Sequence, residues 1–132
     1  MQGVKKVIDG DGNLWIEIDE WRASDKIFET ITEYGTDVKL KDVPANCRIH
    51  ALCIAIKNKE SGDVTVIIKD GGNQVYPKIK VSADELKILP HSQIEGLNFE
   101  ESITVRVEGS YTNGTEIFIG YLIENNTPEA SP

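Results

Sequence analysis

The stretch RIHALCIAIKNKESGDVTVIIKDGGNQVYPKIKV, residues 48–81, decides the fold class. Its first ten residues, RIHALCIAIK, are rich in small, β-branched and apolar side chains and lack any helical period. Asn58 to Asp63 is a polar turn, and VTVIIK (64–69) is a second strand. Asp70-Gly71-Gly72-Asn73 has the composition of a hairpin turn, because glycine supplies the positive φ that tight hairpins need. QVYPKIKV (74–81) reads as a third strand, and Pro77 within it, lacking an N–H, marks an edge or a bulge. Within 48–57 the alternation places Leu52, Ile54 and Ile56 on one face and Ile49, Ala51, Cys53 and Ala55 on the other. Apolar residues on both faces describe a central strand covered on both sides, with a neighbouring subunit as one candidate cover.

Downstream, LKIL (86–89) ends at Pro90, and His91 to Glu101 is a longer connection. SITVRV (102–107) alternates Ile103, Val105 and Val107 with Thr104, Arg106 and Glu108. Residues 111–115 then turn into IFIGYLI (117–123). Upstream, Val43-Pro44-Ala45-Asn46 is a loop preceded by Val38-Lys39-Leu40. Residues 24–35 carry two signals. Ser24 suits the cap of a short helix with Ile27, Phe28 and Ile31 inward and Gly35 as its stop, while the same Ile, Phe and Thr content favours extended structure, the preferred reading. Lys6-Val7-Ile8 and Leu14-Trp15-Ile16-Glu17-Ile18 flank Asp9-Gly10-Asp11-Gly12-Asn13 as a small hairpin. The expected organisation is an N-terminal hairpin arm over 1–22, a β-sandwich over 23–124 and a polar, disordered tail over 125–132. About eight strands at this spacing read as an all-β, antiparallel, jelly-roll-like sandwich.

The chain has 132 residues, one domain's worth, and its 39% hydrophobic content suffices for one core without disulfides or metals. A formal net charge of −8 argues against nucleic-acid backbones and anionic membranes, which require clustered Lys and Arg. Cys47 and Cys53 on one extended strand lie ~20 Å apart, beyond the ~7 Å that a disulfide tolerates, so both read as small free residues. MQGVKKVIDGDG has no apolar core of a signal peptide, and no apolar run reaches the length of a membrane span.

Chemistry finds little purchase. Asp9, Asp11, Asn13, Glu17 and Glu20 follow calcium-loop spacing, but Leu14 stands where such a loop needs glycine and the flanks read as strands. His50, His91, Cys47 and Cys53 lack zinc spacing. Strict alternation puts Cys53 and His50 on opposite faces, and no nucleophile elbow, phosphate loop or dinucleotide fingerprint occurs. The residues therefore imply no enzyme, no cofactor and no metal. Trp15, Trp21, Tyr34, Tyr76 and Tyr111 suit sugar stacking, a subunit interface or ordinary core and turn packing. The interface reading places Trp15, Trp21, Ile16 and Ile18 of the arm at the contact.

Val43-Pro44-Ala45, His50-Ala51-Leu52, Val64-Thr65-Val66, Leu89-Pro90, Ile103-Thr104-Val105 and Gly120-Tyr121 recur in an order and spacing that resembles small β-sandwich virion proteins of tailed bacteriophages, over about residues 30–124. The resemblance implies a non-enzymatic capsid decoration, head-fibre or tail component. It would be made in the host cytoplasm and located on the virion, as a homo-oligomer, with a trimer favoured, bound to the major capsid protein or another virion protein. A carbohydrate-binding module with a glycan partner is the competing expectation.

Overall fold

The computed structural model describes residues 5–8, 14–17, 25–110 and 112–125, the first two segments as backbone. β1 (Lys5–Ile8) and β2 (Leu14–Glu17) pair antiparallel from Lys5 opposite Glu17 to Ile8 opposite Leu14. The body contains β3 (Asp25–Ile31), β4 (Asp37–Asp42), β5 (Cys47–Asn58), β6 (Val64–Asp70), β7 (Asn73–Gln74), β8 (Ile79–Val81), β9 (Leu86–Leu89), α1 (His91–Ile94), β10 (Asn98–Phe99), β11 (Ser102–Glu108) and β12 (Thr115–Asn125).

These strands form two antiparallel sheets packed face to face. The first runs from β9 and β10, which share one edge of β5, through β5 and β12 to β3. The second runs β4-β11-β6, with β7 and β8 sharing the far edge of β6. The chain crosses between the sheets after β3, β4, β5, β8, β10 and β11, so each sheet draws strands from both halves of the sequence. This is the strand order of a jelly roll. The core between the sheets is built from Ile54 and Ile56 of β5, Val64, Val66 and Ile68 of β6, Ile103, Val105 and Val107 of β11, and Ile117, Ile119 and Tyr121 of β12, all almost wholly buried. Residues 25–31 are strand rather than helix, because Ile27 and Ile31 reach this core from opposite β12, with Ile119 facing Ile27 and Thr115 facing Ile31.

Three expectations need correction. First, the period of two breaks inside β5. Gly120 pairs with Cys53 but Tyr121 pairs with Ala51, so Leu52 is an extra residue in a β-bulge. The bulge turns Ile49 and Ala51 inward, at 0% and 2% exposure, onto the same core as Ile54 and Ile56, and removes Leu52 from it. It also brings His50 and Cys53 to the same, outer face. Second, 74–81 is two short strands rather than one. Pro77 interrupts them, and both halves lie at the sheet edge, as its missing N–H requires. Third, β12 continues through Asn125, held by Glu124 opposite Arg48 and Asn125 opposite Cys47, so the sandwich extends past residue 124. The 91–101 connection holds a one-turn helix and the short β10. Cys47 and Cys53 are both free. The tail beyond Asn125 lies outside the described residues.

Asn46, at φ 59, and Gly71, at φ 61, close the turns before β5 and after β6 in the left-handed region, which Asn and Gly adopt at least cost. Asp70 fixes the other side of the second turn. Its carboxylate accepts the backbone N–H groups of Glu100, Glu101 and Ser102 at 2.9, 2.7 and 3.2 Å, which joins the turn to the start of β11.

A one-residue slip in a strand exchanges its two faces. Deleting Leu52 causes no such slip, because it joins Ala51 to Cys53 and leaves Cys53 outward opposite Gly120 and Ala51 inward opposite Tyr121. The expected outcome is a retained cooperative thermal transition by circular dichroism, and its loss would show that the fold needs the bulge itself. Leu52→Ala, which keeps the residue count, retains that transition.

Candidate interaction face

The two sheets present opposite chemistry to solvent. On the outer face of the second sheet, Asp37 pairs with Lys69 at 3.0 Å and lies 3.6 Å from Arg106, which lies 3.4 Å from Glu108. The outer face of the first sheet carries an apolar row between polar ones. Pairing aligns Phe28 of β3 with Phe118 of β12, Phe118 with Ala55 of β5, and Ala55 with Ile88 of β9, in one row across four strands. Phe28 is 61% exposed and Ile88 is 59% exposed, while Phe118 and Ala55 are half-buried by their neighbours alone. The next row is Thr30, Glu116, Lys57 and Leu86, the last 57% exposed. On the other side lies Lys26–Gly120–Cys53, where a Cβ on Gly120 would come within 3.2 Å of the Cys53 sulfur and 3.7 Å of the Phe118 ring. The missing side chain lets Phe118 and Cys53 lie low against the sheet. Beyond the bulge the half-buried Leu122 faces His50. Large apolar side chains in a contiguous exposed row mark a contact surface, whereas scattered ones are ordinary.

His50 closes one end of this face. Its Nδ1 meets the Asn98 side-chain oxygen and its Nε2 lies 2.6 Å from a Glu124 oxygen, so both ring nitrogens are engaged. This is the half-buried structural histidine that an isolated His on a strand suggests, and it leaves no ring nitrogen to activate Cys53. Among the described residues no group of three or more His, Cys, Asp or Glu side chains is arranged to hold a metal ion.

At the other end of the sandwich sits a cluster that sequence reading did not find. Glu60 is 3% exposed. It accepts the Thr112 hydroxyl at 2.7 Å, the Gly114 N–H at 2.6 Å, the Asn113 N–H at 3.0 Å and the Tyr34 hydroxyl at 2.9 Å. The Tyr34 hydroxyl also meets the Thr115 hydroxyl. Asn58 holds the approach, since its side-chain oxygen accepts the Glu60 N–H and its amide donates to the carbonyls of Gly62, Val81 and Ser82. Burial alone raises the Glu60 carboxyl. The donors from Thr112, Gly114, Asn113 and Tyr34 outweigh burial and bring it down to about 2. Every lone-pair direction is used internally, so Glu60 is a clamp for the turn before β12 rather than an acid or base for a substrate. No local motif announces it, because its donors lie 26 residues before it and 52 to 54 residues after it in sequence.

Tyr121, 1% exposed, is the other perturbed group. Burial pushes its hydroxyl up to about 12, helped by the charge of Asp25 and a hydrogen bond to it. It lies at the floor of an open groove of about 560 Å³ between β3 and β4, lined by Lys26, Lys39, Lys41 and Asp42.

The aromatics expected at a binding surface do not gather. Tyr34 belongs to the Glu60 cluster. Tyr76 donates to the Gln93 carbonyl at 3.3 Å, beside a small 130 Å³ recess. Tyr111, Trp21 and Ile18 lie outside the described residues, as do the side chains of Trp15 and Ile16 and the acidic loop around Asp11. The exposed apolar row of Phe28, Phe118 and Ile88, with Leu86 beside it, is not singled out by the sequence. The available signal was the unbroken apolar run IFIGYLI, which is apolar on both faces.

No family model and no curated protein matches the chain. Among solved structures, a protein of the Bacillus endospore appendages, described as a novel family of disulfide-linked pili, is similar at TM-score 0.51 and 16% identity, over 79% of this chain and 88% of that one. The likeness is one of fold. A TDP-quinovose 3,4-ketoisomerase from Campylobacter jejuni also aligns, at 14% identity over 96% of this chain and 85% of that one, but the TM-score of 0.32 is too low to carry an argument.

The Glu60 clamp makes a signed prediction. Its folded-state pKa lies below the ordinary carboxylate value of 4.5, so its contribution is fully present above about pH 4.5 and is lost as pH falls towards about 2. Wild-type protein should therefore lose denaturation midpoint steeply through that window. Glu60→Gln should start lower at neutral pH and fall less across the same window, as read by urea titrations at each pH.

Proposed function

We propose that this chain is a non-enzymatic structural protein that works by protein–protein contact, as a subunit on or within a larger particle. The observation that carries this reading is the apolar row Phe28–Phe118–Ala55–Ile88 on the solvent face of the first sheet. Four strands presenting apolar side chains to water is unfavourable for a protein that acts alone, at roughly 25 cal/mol per Å² of apolar surface left uncovered. The charged outer face of the second sheet gives the molecule one side for a partner and one for solvent.

Two further considerations support an assembly role. The order of motifs from Val43-Pro44-Ala45 to Gly120-Tyr121 resembles virion proteins of tailed bacteriophages, which makes a capsid, fibre or tail the proposed particle. The Bacillus protein that shares the fold is itself described as a pilus component, so this architecture is used in at least one polymer. In the proposed role the sandwich is a rigid block, the Glu60 and Asp70 clamps hold its loops, and the apolar face makes the contact.

Mass spectrometry and antibody detection on density-purified phage particles test the role. The chain should copurify in stoichiometric amount, and Ile88→Glu should reduce its occupancy while leaving the fold intact. Absence from particles combined with specific retention on a glycan array would replace this reading with carbohydrate binding.

A further inference from the structure

The apolar face has an order that fits one occupant. We propose that it docks a second copy of this chain, related by a two-fold axis running parallel to the strands between β5 and β12. The inference rests on the assembly reading above and adds the partner and the geometry.

Consider the rows as β3, β12, β5, β9 from one edge to the other. They are Phe28–Phe118–Ala55–Ile88 and Thr30–Glu116–Lys57–Leu86. A two-fold along the strands reverses the order of each row and keeps the rows in register. Phe118 then lies over the partner's Ala55, and Phe28 over the partner's Ile88. In each central pair a large side chain meets a small one, which close packing requires. In the neighbouring row the same operation sets Glu116 over the partner's Lys57, so the two central charges are complementary twice. An axis across the strands does neither. It stacks Phe118 on Phe118, leaves Ala55 facing Ala55 across a gap, and places Glu116 over the partner's Gly120.

The charges are already held at the face. Lys57 Nζ donates to the Asp84 carbonyl at 2.8 Å and to its carboxylate at 3.1 Å, and Glu116 lies 3.5 Å from Lys59 Nζ. Docking therefore extends existing networks and leaves neither charge newly isolated. Aligned sheets pack about 10 Å apart and rotated by about 30°, which displaces the outer pairs more than those beside the axis. Phe118 with Ala55 and Glu116 with Lys57 are the pairs beside it.

The area sets the strength. Four strands spaced at about 4.8 Å, over three or four residue rows, give a patch on the order of 400 Å² per copy. A standard stable interface covers about 800 Å² per partner. The face supports a reversible, concentration-dependent pair, which becomes permanent only when other contacts add to it.

Light scattering of the full chain over a dilution series, together with crosslinking, tests the proposal. The expected mass rises with concentration to twice the chain, or to an even multiple of it. Ile88→Glu should raise the dissociation constant at least tenfold, about 1.4 kcal/mol, with an unchanged thermal midpoint at high dilution. In a Cys47→Ser, Cys53→Ser background, chains carrying Phe28→Cys should be joined by a short bismaleimide to chains carrying Ile88→Cys. Neither variant should be joined efficiently to itself. A trimer without even multiples, or efficient self-crosslinking of Phe28→Cys, would overturn the two-fold and leave the assembly role standing. A monomeric mass at every concentration would overturn docking of a second copy, while the assembly role would still stand or fall on copurification with particles.

Discussion

The pairing of β12 with β5 is the constraint on which the molecule depends. The two longest strands lie side by side from Thr115 opposite Asn58 to Asn125 opposite Cys47. Every other strand of the first sheet attaches to one of them. Their inward side chains, Ile54, Ile56, Ile117, Ile119 and Tyr121, form the middle of the first sheet's wall of the core. Their outward side chains form the centre of the apolar face. The bulge at Leu52 reconciles the two demands, because it lets Ile49 and Ala51 reach the core near Phe99 without moving Phe118 and Ala55 from the solvent side. Bulging this one extra residue out of the ladder keeps the inward and outward side chains of β5 each on their own side.

Around that pair, two buried or anchored carboxylates hold loops in place from a distance. Glu60 gathers the turn at 112–114 and Tyr34, and Asp70 gathers the entry to β11. Both are acceptors for backbone N–H groups that no strand would otherwise satisfy, so they replace hydrogen bonds that the turns cannot make internally. The loops at both ends of the sandwich are fixed by the body rather than shaped around a ligand.

Much of the sandwich was legible because alternation is a local signal. Val64, Val66, Ile68 and Ile103, Val105, Val107 are inward as their period of two dictates, and Asp70-Gly71-Gly72-Asn73 turns where its glycines allow. The faces of β5 are not legible in this way, because a bulge is set by the opposite strand and RIHALCIAIK is apolar at both phases, so its own sequence cannot locate the slip. Pro77 was read correctly as an edge signal, but its consequence, a complete break between β7 and β8, depends on how little β6 needs there. The apolar face required knowing that Phe28, Phe118, Ala55 and Ile88 fall in one row, although they are spread over ninety residues of chain. Glu60 was invisible for the same reason. Long-range register is the information that composition and spacing do not carry.

The broken strand at Pro77 has a consequence for how the protein behaves when crowded. A jelly roll has open sheet edges, and an open edge is a template on which foreign strands polymerise into insoluble fibrils. Here the edge formed by β7 and β8 offers only two- and three-residue pieces separated by a residue without an N–H, and β9 is four residues long. The opposite edges, β3 and β4, carry Lys26 and Glu29, and Lys39 and Lys41. Aggregation through backbone pairing is thus discouraged on every side. The apolar surface that this protein exposes therefore lies in side chains rather than in open backbone edges.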